Sequence, residues 1–373
     1  MKLSYHQTAF LSALLAGLIS SANKTIEGIA SMTVNGPSKT ALNKFLTKYD
    51  WDARRVNRER IEELQKQNET RWKKRGLGII DDTLIEKTGK CIEGVGKFFD
   101  HAKGRFIYGH SMVSLHFADH KTSYAVDYGL FLKKGCEGFR TKIELAKDLI
   151  TESIEEMQFP AFTFVFDSWY LCKDLVDHIE SYGRLWIAAC KSDRLVLVNG
   201  RYVSLADYLC TLADSDFTER TVNERKLLVH QRTVHFKSLG KRARLIISKE
   251  GKDVLFLATN RSGTVEGVIA DYMLRWSIET FHKDAKQYLG LDKCQMRDME
   301  GIKRYWYVVF MAHSVLRLGA SEGILARAVS RKSVANRVKG ACLEALSKFV
   351  YWVLEKGDPS EIMKVMEVAI GYK

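Results

Sequence analysis

AFTFVFDS, residues 161–168, is an apolar run that stops at an acid, the pattern of a short buried strand. On its amino side, TKIELAKDLITESIEEM (141–157) carries Ile143, Leu145, Ala146, Leu149, Ile150 and Ile154 at helical spacing. On its carboxyl side, YLCKDLVDHIESYG (170–183) reads as a second helix with Gly183 as its stop, and LWIAACKS (185–192) as a further strand. Further out, GLGIIDDT (76–83) repeats the apolar run that ends in acid. RFIYGHSMVSLHFAD (105–119) and SYAVDYGLFLKK (123–134) read as strands joined by a polar turn around Lys121. The order strand, strand, strand, helix, strand, helix, strand predicts an α/β sheet with an antiparallel portion and helices on its faces.

Residues 193–262 lose the helical rhythm. VLVNGRYVSL, LLVHQRTVHFKSL, ARLIIS and DVLFLAT read as strands, with turn-forming pairs at Asn199-Gly200 and Glu250-Gly251, so a β-rich insertion is expected. Helices return from about Thr264 to the end. Residues 1–75 read as helical throughout, and the apolar run Thr8–Ala22 reads as a buried helix of an N-terminal bundle. That run could also pass for a signal peptide, but it is too short to span a membrane. The domains expected are 1–75 (N-terminal helical), 76–192 (α/β core, first part), 193–262 (β-rich insertion), 263–325 (core, second part) and 326–373 (C-terminal helical region).

The chain has 373 residues, with 58 Lys+Arg against 45 Asp+Glu, a net charge of +13 that favours a polyanionic partner, nucleic acid first. Residues 1–80 hold 14 basic and 7 acidic residues, about half of that excess. Arg54, Arg55, Arg58 and Arg60 crowd one stretch there, and Arg71, Lys73, Lys74 and Arg75 another. Trp51 and Trp72 lie among them, which raises the expectation of DNA contact through Arg54, Arg55 and Arg58. A hydrophobic content of 46% and three prolines exclude a disordered or Pro-rich chain. The seven cysteines form no C-x-x-C pair, as expected of reduced core thiols in the cytoplasm. His110, His116 and His120 have no Cys partner set, and no zinc is expected.

A carboxylate at the end of a buried strand is costly unless it is paired, hydrogen-bonded or bound to a cation, so Asp81 (or Asp82) and Asp167 stand out. Oxygen donors on adjacent strands suit a hard cation such as Mg²⁺. Side chains alternate along a strand, so Asp81 and Asp82 cannot both face one site. In DYMLRWSIETFHKDAKQYLG (271–290), Tyr272, Arg275, Glu279 and Lys286 fall within a 60° arc if the segment is one helix. Leu274, Ile278, Phe281, Ala285 and Tyr288 then form an apolar stripe opposite.

The three acids in this order, with Tyr-(2)-Arg-(3)-Glu-(6)-Lys matched at every spacing, resemble the DDE transposases of insertion sequences, specifically the IS-four group with its YREK signature. Asp81-x-Thr83, FDSWY (166–170) and the segment SKTALNKFLTKYDWDARRV (38–56) are similar to that family too, so the resemblance covers most of the chain. It favours Asp81 over Asp82 and implies an RNase H-like mixed sheet flanked by helices, with the first acid on the first strand and the second on the fourth. It further implies that Asp81, Asp167 and Glu279 are catalytic and hold two Mg²⁺ ions, for which Mn²⁺ substitutes. DNA would be contacted by Tyr272, Arg275, Lys286, Lys283 and Trp276, with Trp276, Tyr202 or Phe236 as partners for a flipped base.

The resemblance implies cut-and-paste transposition: two-metal phosphoryl transfer frees 3′-OH ends at terminal inverted repeats and joins them to target DNA. The partners implied are double-stranded repeat DNA, target DNA and a second copy in a homodimeric synaptic complex, with no membrane. The location implied is the prokaryotic cytoplasm, nucleoid-associated when bound. The alternative reading is a catalytically silent or domesticated sequence-specific DNA-binding protein, against which the retention of all three acids and the signature speaks. A repair or RNA-processing nuclease would not need the Tyr-Arg-Lys face.

Overall fold

The computed structural model describes residues 3–32, 36–89, 91–100, 103–318, 333–342 and 344, so nearly all of the expected C-terminal region 326–373 lies outside the described residues. The chain divides into two compact units. Residues 1–71, 84–111 and 280–373 form the first, and residues 72–83 with 112–279 the second.

The first unit opens with helices α1 (Tyr5–Ser20), α2 (Ile26–Ser31), α3 (Lys39–Thr47) and α4 (Ala53–Lys66). Each begins where a polar side chain accepts a free N–H of the first turn: Ser4 from Gln7, Thr25 from Gly28, Ser38 from Ala41 and Asp52 from Arg55. The run read as a buried helix is α1, with Leu11, Leu14, Leu18 and Ile19 inside. A Cβ on Gly17 would lie 2.3 Å from Ile29 Cγ2, so α1 and α2 meet where only glycine fits. The long helix Met299–Arg317 packs on α1, α3 and α4, and Arg304 Nη1 donates to the carbonyls of Leu46 (3.1 Å) and Tyr49 (2.8 Å) past the end of α3.

Three expectations for this region need correction. Residues 1–75 are not helical throughout, because α4 stops at Lys66 and no helix or strand follows until Leu77. Trp51 is not a surface residue: its ring stacks on Phe45 at 4.9 Å, and its Nε1 donates to the Phe45 carbonyl at 2.8 Å. Arg60 belongs to the core rather than to a basic surface, donating to Asn57 Oδ1 (2.7 and 2.9 Å) and to Ser314 Oγ (2.8 Å). Trp72, in the second unit, likewise packs against Phe159 at 4.9 Å.

The second unit is built on a mixed sheet. Strand β1 (Leu77–Glu86) begins it. A strand the sequence pattern does not mark, β2 (Gly96–Asp100), lies in the first unit and pairs antiparallel with Arg105–Gly109 of β3 (Arg105–Ala118). Then come β4 (Ser123–Phe131), α5 (Lys142–Glu155), β5 (Thr163–Phe166), α6 (Lys173–Ser181) and β6 (Leu185–Ala189). The extra β2 makes β5 the fifth strand in chain order, although it is the fourth within the second unit. Its GKFFD sequence is too short and too close to glycines to stand out.

The β-rich stretch contains β7 (Leu195–Val198), β8 (Arg201–Ser204), α7 (Leu205–Cys210), β9 (Thr218–Val222), β10 (Arg225–Phe236), β11 (Lys241–Glu250) and β12 (Asp253–Thr259). Asn199 and Gly200 take φ of +49° and +78° between β7 and β8, the left-handed pair a two-residue hairpin turn requires. This stretch extends the sheet instead of standing apart, because β12 pairs antiparallel with β6. The order is β4-β3-β1-β5-β6-β12-β11-β10-β7-β8, with β9 beside β10.

Helix α8 (Val265–Met273) lays Val265, Val268 and Ile269 on a core of Leu77, Ile79, Val165, Ile187, Ile246 and Leu257. Helix α9 (Trp276–Tyr288) follows. The single helix expected over 271–290 is therefore broken at Leu274–Arg275. There the Arg275, Ser277 and Ile278 N–H groups bond three residues back, to Tyr272, Leu274 and Arg275, tightening the chain.

Candidate active site

Strand register brings two acids side by side. β1 and β5 run parallel with Leu77 opposite Thr163 and Ile80 opposite Phe166, so the next residue on each chain is an aspartate, Asp81 and Asp167. Adjacent strands lie about 4.8 Å apart. β1 continues through Asp81 to Glu86, so this acid sits within a strand rather than at its end.

Alternation separates Asp81 from Asp82. Leu77 and Ile79, and Val165 on β5, face the core that α8 covers, and Asp81 and Asp167 continue that side of their strands. Asp82 takes the opposite side. Its Oδ2 lies 2.6 Å from Lys142 Nζ, and the Tyr170 hydroxyl donates to its Oδ1 at 3.1 Å. Burial first, then the Asp82 charge, raises the Tyr170 phenol well above its ordinary range, so the hydroxyl keeps its proton.

On the α8 side, the chain break at 274–275 turns Arg275 into the site. Its Nη1 lies 3.4 Å from Asp81 Oδ2 and its Nη2 2.6 Å from Glu279 Oε1, so one guanidinium bridges two of the three acids. The Arg275 Cζ sits 5.6 Å from the centre of the Tyr272 ring. Tyr272, Arg275 and Glu279 thus converge, although not on one straight helix.

Asp167 Oδ1 accepts from the N–H groups of Trp169 (2.9 Å) and Tyr170 (3.2 Å), which fixes that carboxylate against the turn after β5. Asp81 is less well compensated. Burial, then the neighbouring Asp167 charge, pushes its carboxyl up to about 7, against the opposing Asp82 N–H and Arg275.

The other expected contact residues are placed as follows. Trp276 is 65% exposed at the start of α9. Lys283 is exposed, and Lys286 is half-buried with its ammonium lowered by burial; both lie beyond residue 279, in the first unit. Arg54 is exposed on α4, and Arg55 pairs with Glu59 at 3.0 Å; both, with half-buried Arg58, are also in the first unit. Phe236 is fully buried and cannot stack on a base, whereas Tyr202 is 43% exposed. Sequence reasoning missed Lys142 and the role of Asp82. Nothing marks a lysine at the start of α5 as the partner of an acid 60 residues earlier.

Among the described residues, no group of three or more His, Cys, Asp or Glu side chains is gathered closely enough to hold a metal ion. The donor chemistry still suits a hard cation. Asp81 and Asp167 are oxygen donors on adjacent strands, and the raised Asp81 carboxyl marks a place where negative charge is under-compensated. Glu279, the third oxygen donor, is held by Arg275 in this arrangement.

Two family models match the chain. Residues 3–204 match the DDE superfamily endonuclease model, and residues 129–323 match one described as a proposed archaeal transposase, ISC1217. No curated protein matches. Among solved structures, endonuclease V of Bacillus subtilis is 12% identical over 64% of this chain and 98% of its own, with a TM-score of 0.27. The NurA nuclease of Sulfolobus solfataricus is 12% identical over 73% of this chain and 94% of its own, with a TM-score of 0.29. Overlaps that low fix neither fold nor chemistry.

Proposed function

Because the chain belongs to the DDE superfamily of endonucleases, we propose that it is a DNA transposase of the IS-four group. In this reading it cuts the ends of its own insertion sequence and joins the freed 3′-OH ends to target DNA. Asp81, Asp167 and Glu279 are its catalytic acids. The observation that carries the reading is the register of β1 and β5, which sets Asp81 beside Asp167 on the side where Arg275 and Glu279 arrive. The order β4-β3-β1-β5-β6, with β1, β5 and β6 parallel, supports an RNase H-like core with the second acid after its fourth strand.

Asp81, Asp167 and Glu279 would hold Mg²⁺, or Mn²⁺ in its place, which would supply an activated attacking oxygen and charge compensation at the leaving oxygen of an in-line displacement. This chain's own residues do the rest. Asp81 releases its carboxyl proton to water and then presents a carboxylate oxygen to the site. Arg275 exchanges its two single carboxylate contacts for phosphate oxygens, to which a guanidinium can present two N–H groups side by side. Tyr272 backs the guanidinium. Lys142 and Tyr170 hold Asp82 off the site, which keeps β1 in the register that aims Asp81. Trp276 and Trp169, the latter 49% exposed two residues after Asp167, offer rings on which an unpaired base can stack. Arg54, Arg55 and Arg58 supply phosphate contacts for terminal-repeat recognition, and two copies act together on two ends.

The test is end cleavage on DNA carrying the borders of the gene's own locus, with wild type and Glu279→Gln, each in Mg²⁺ and in EDTA. Metal-dependent 3′-OH ends at the boundary from wild type alone support the reading. Border binding without cutting by either protein favours a silent DNA-binding relative, and equal cutting by both overturns the site.

A further inference from the structure

The second unit also holds a cleft of about 1050 Å³, away from the acidic site at the other end of the same strands. Leu77, Thr163 and Leu185, at the amino ends of β1, β5 and β6, form its floor. Asp81 and Asp167 each lie four residues further along, about 13 Å away at 3.3 Å per residue. Six cations and two acids line it. Lys73 stands 3.9 Å from Asp119, and Arg261 pairs with Asp271, which leaves a net excess on the remaining four. Of these, Lys74, Arg75 and Lys121 are exposed, and their side-chain charges have no carboxylate partner among the described residues.

Two further features point to what fills the cleft. Arg184 Nε is buried and has no hydrogen-bond partner among the described residues, a donor lacking its acceptor. The same guanidinium lies 5.7 Å from the centre of the Phe162 ring, whose side chain is 49% exposed. A flat aromatic–guanidinium platform beside unpaired cations suits bases that are free to stack and phosphates that need neutralising. The bases of a duplex are stacked inside it and cannot reach such a platform.

We infer that this cleft is a second nucleic-acid site, which binds a single-stranded DNA segment separate from the phosphate engaged at Asp81 and Asp167. Arg184 donates to a phosphate oxygen, Phe162 carries a base, and Lys74, Arg75 and Lys121 neutralise the backbone. The inference rests on the proposed DNA-cutting function, since it supposes that the enzyme handles separated strands.

The test uses the full chain in EDTA and the fluorescence anisotropy of a labelled oligo-dT 12-mer, with a duplex 12-mer as the second probe. Lys74→Ala/Arg75→Ala/Lys121→Ala is expected to weaken oligo-dT binding tenfold or more. It should also lower the slope of log K against log salt by about 2, since each single-strand phosphate contact contributes about 0.7. Phe162→Ala is expected to weaken oligo-dT binding about tenfold with the salt slope unchanged, because stacking carries no counterion release. Circular dichroism melts confirm that both variants fold. Unchanged oligo-dT affinity in both folded variants overturns the inference, as does a larger loss on the duplex than on the single strand. Border cleavage by wild type without any oligo-dT binding removes the cleft and leaves the proposed enzyme standing. Failure of both assays removes both.

Discussion

Replacing Asp81 with asparagine should abolish catalysis and at the same time stabilise the protein, and the size of the gain is set by pH. The folded-state carboxyl titrates at about 7 against its ordinary 3.8, because burial and Asp167 disfavour its charge. The fold therefore binds a proton there that the unfolded chain releases. Stability from this group is fully present at acid pH and falls as pH rises from 3.8 through about 7. At about 1.4 kcal/mol per pH unit, the penalty approaches about 4 kcal/mol above pH 8 and is about 1–2 kcal/mol at pH 5. Asn keeps the shape and the oxygen that accepts from the Asp82 N–H, gives up the longer contact of the second oxygen with Arg275, and carries no charge to bury.

In urea melts with EDTA, Asp81→Asn should thus exceed wild type by about 2–3 kcal/mol more at pH 8.5 than at pH 5. Measuring the difference between two proteins at each pH cancels the titrating groups that do not interact with Asp81. Adding Mg²⁺ at pH 8.5 should raise wild type toward the variant and leave the variant nearly unmoved. A variant no more stable than wild type at pH 8.5, or a gap that does not widen between the two pH values, would refute the placement of Asp81 in an under-compensated buried pair with Asp167.

Four other variants have outcomes set by the surroundings of single residues. Tyr170→Phe deprives the Asp82 carboxylate of its donor and should cost about 1–3 kcal/mol in urea melts, and a loss under 0.5 would count against the Asp82–Tyr170–Lys142 support. Arg60→Met removes the buried donors that Asn57 Oδ1 and Ser314 Oγ accept from and should cost about 3 kcal/mol, whereas Arg54→Ala should leave the melt unchanged and instead reduce the salt slope of border binding by about 1. Burial lowers His282 to about 3 and His110 to about 4, below the ordinary 6.5, so both stay neutral while the unfolded chain charges. The contribution of these two groups to stability should therefore fall as pH drops below about 6.5, by about 1.4 kcal/mol per pH unit for each, and His282→Gln should lose about that much less per pH unit than wild type in metal-free melts; equal slopes for the two proteins would contradict it.

What the sequence made legible is what depends on local pattern. The apolar runs ending at Asp81 and Asp167 announced strands, and the parallel register then places the acids together without further information. Asn199-Gly200 announced its hairpin because only left-handed backbone closes a two-residue turn. The failures came where distant partners decide. Trp51 and Arg60 look like surface groups in a basic stretch, but Phe45, Asn57 and Ser314 bury them, and those contacts span up to 254 residues. The break between α8 and α9 was also hidden, since Leu274, Arg275 and Trp276 are all tolerable in a helix. The straight-helix arc happened to group Tyr272, Arg275 and Glu279, which meet instead through a tight turn and a shared guanidinium.

The central claim is that Asp81, not Asp82, works with Asp167 and Glu279 to cut DNA, and one comparison tests it most directly. Wild type, Asp81→Asn, Asp82→Asn and Glu279→Gln would be assayed for Mg²⁺-dependent cleavage of border DNA under single-turnover conditions. The account predicts that Asp81→Asn and Glu279→Gln lose at least about a thousandfold, equivalent to about 4 kcal/mol of barrier, while Asp82→Asn keeps at least a tenth of the rate. A dead Asp82→Asn beside an active Asp81→Asn would contradict it.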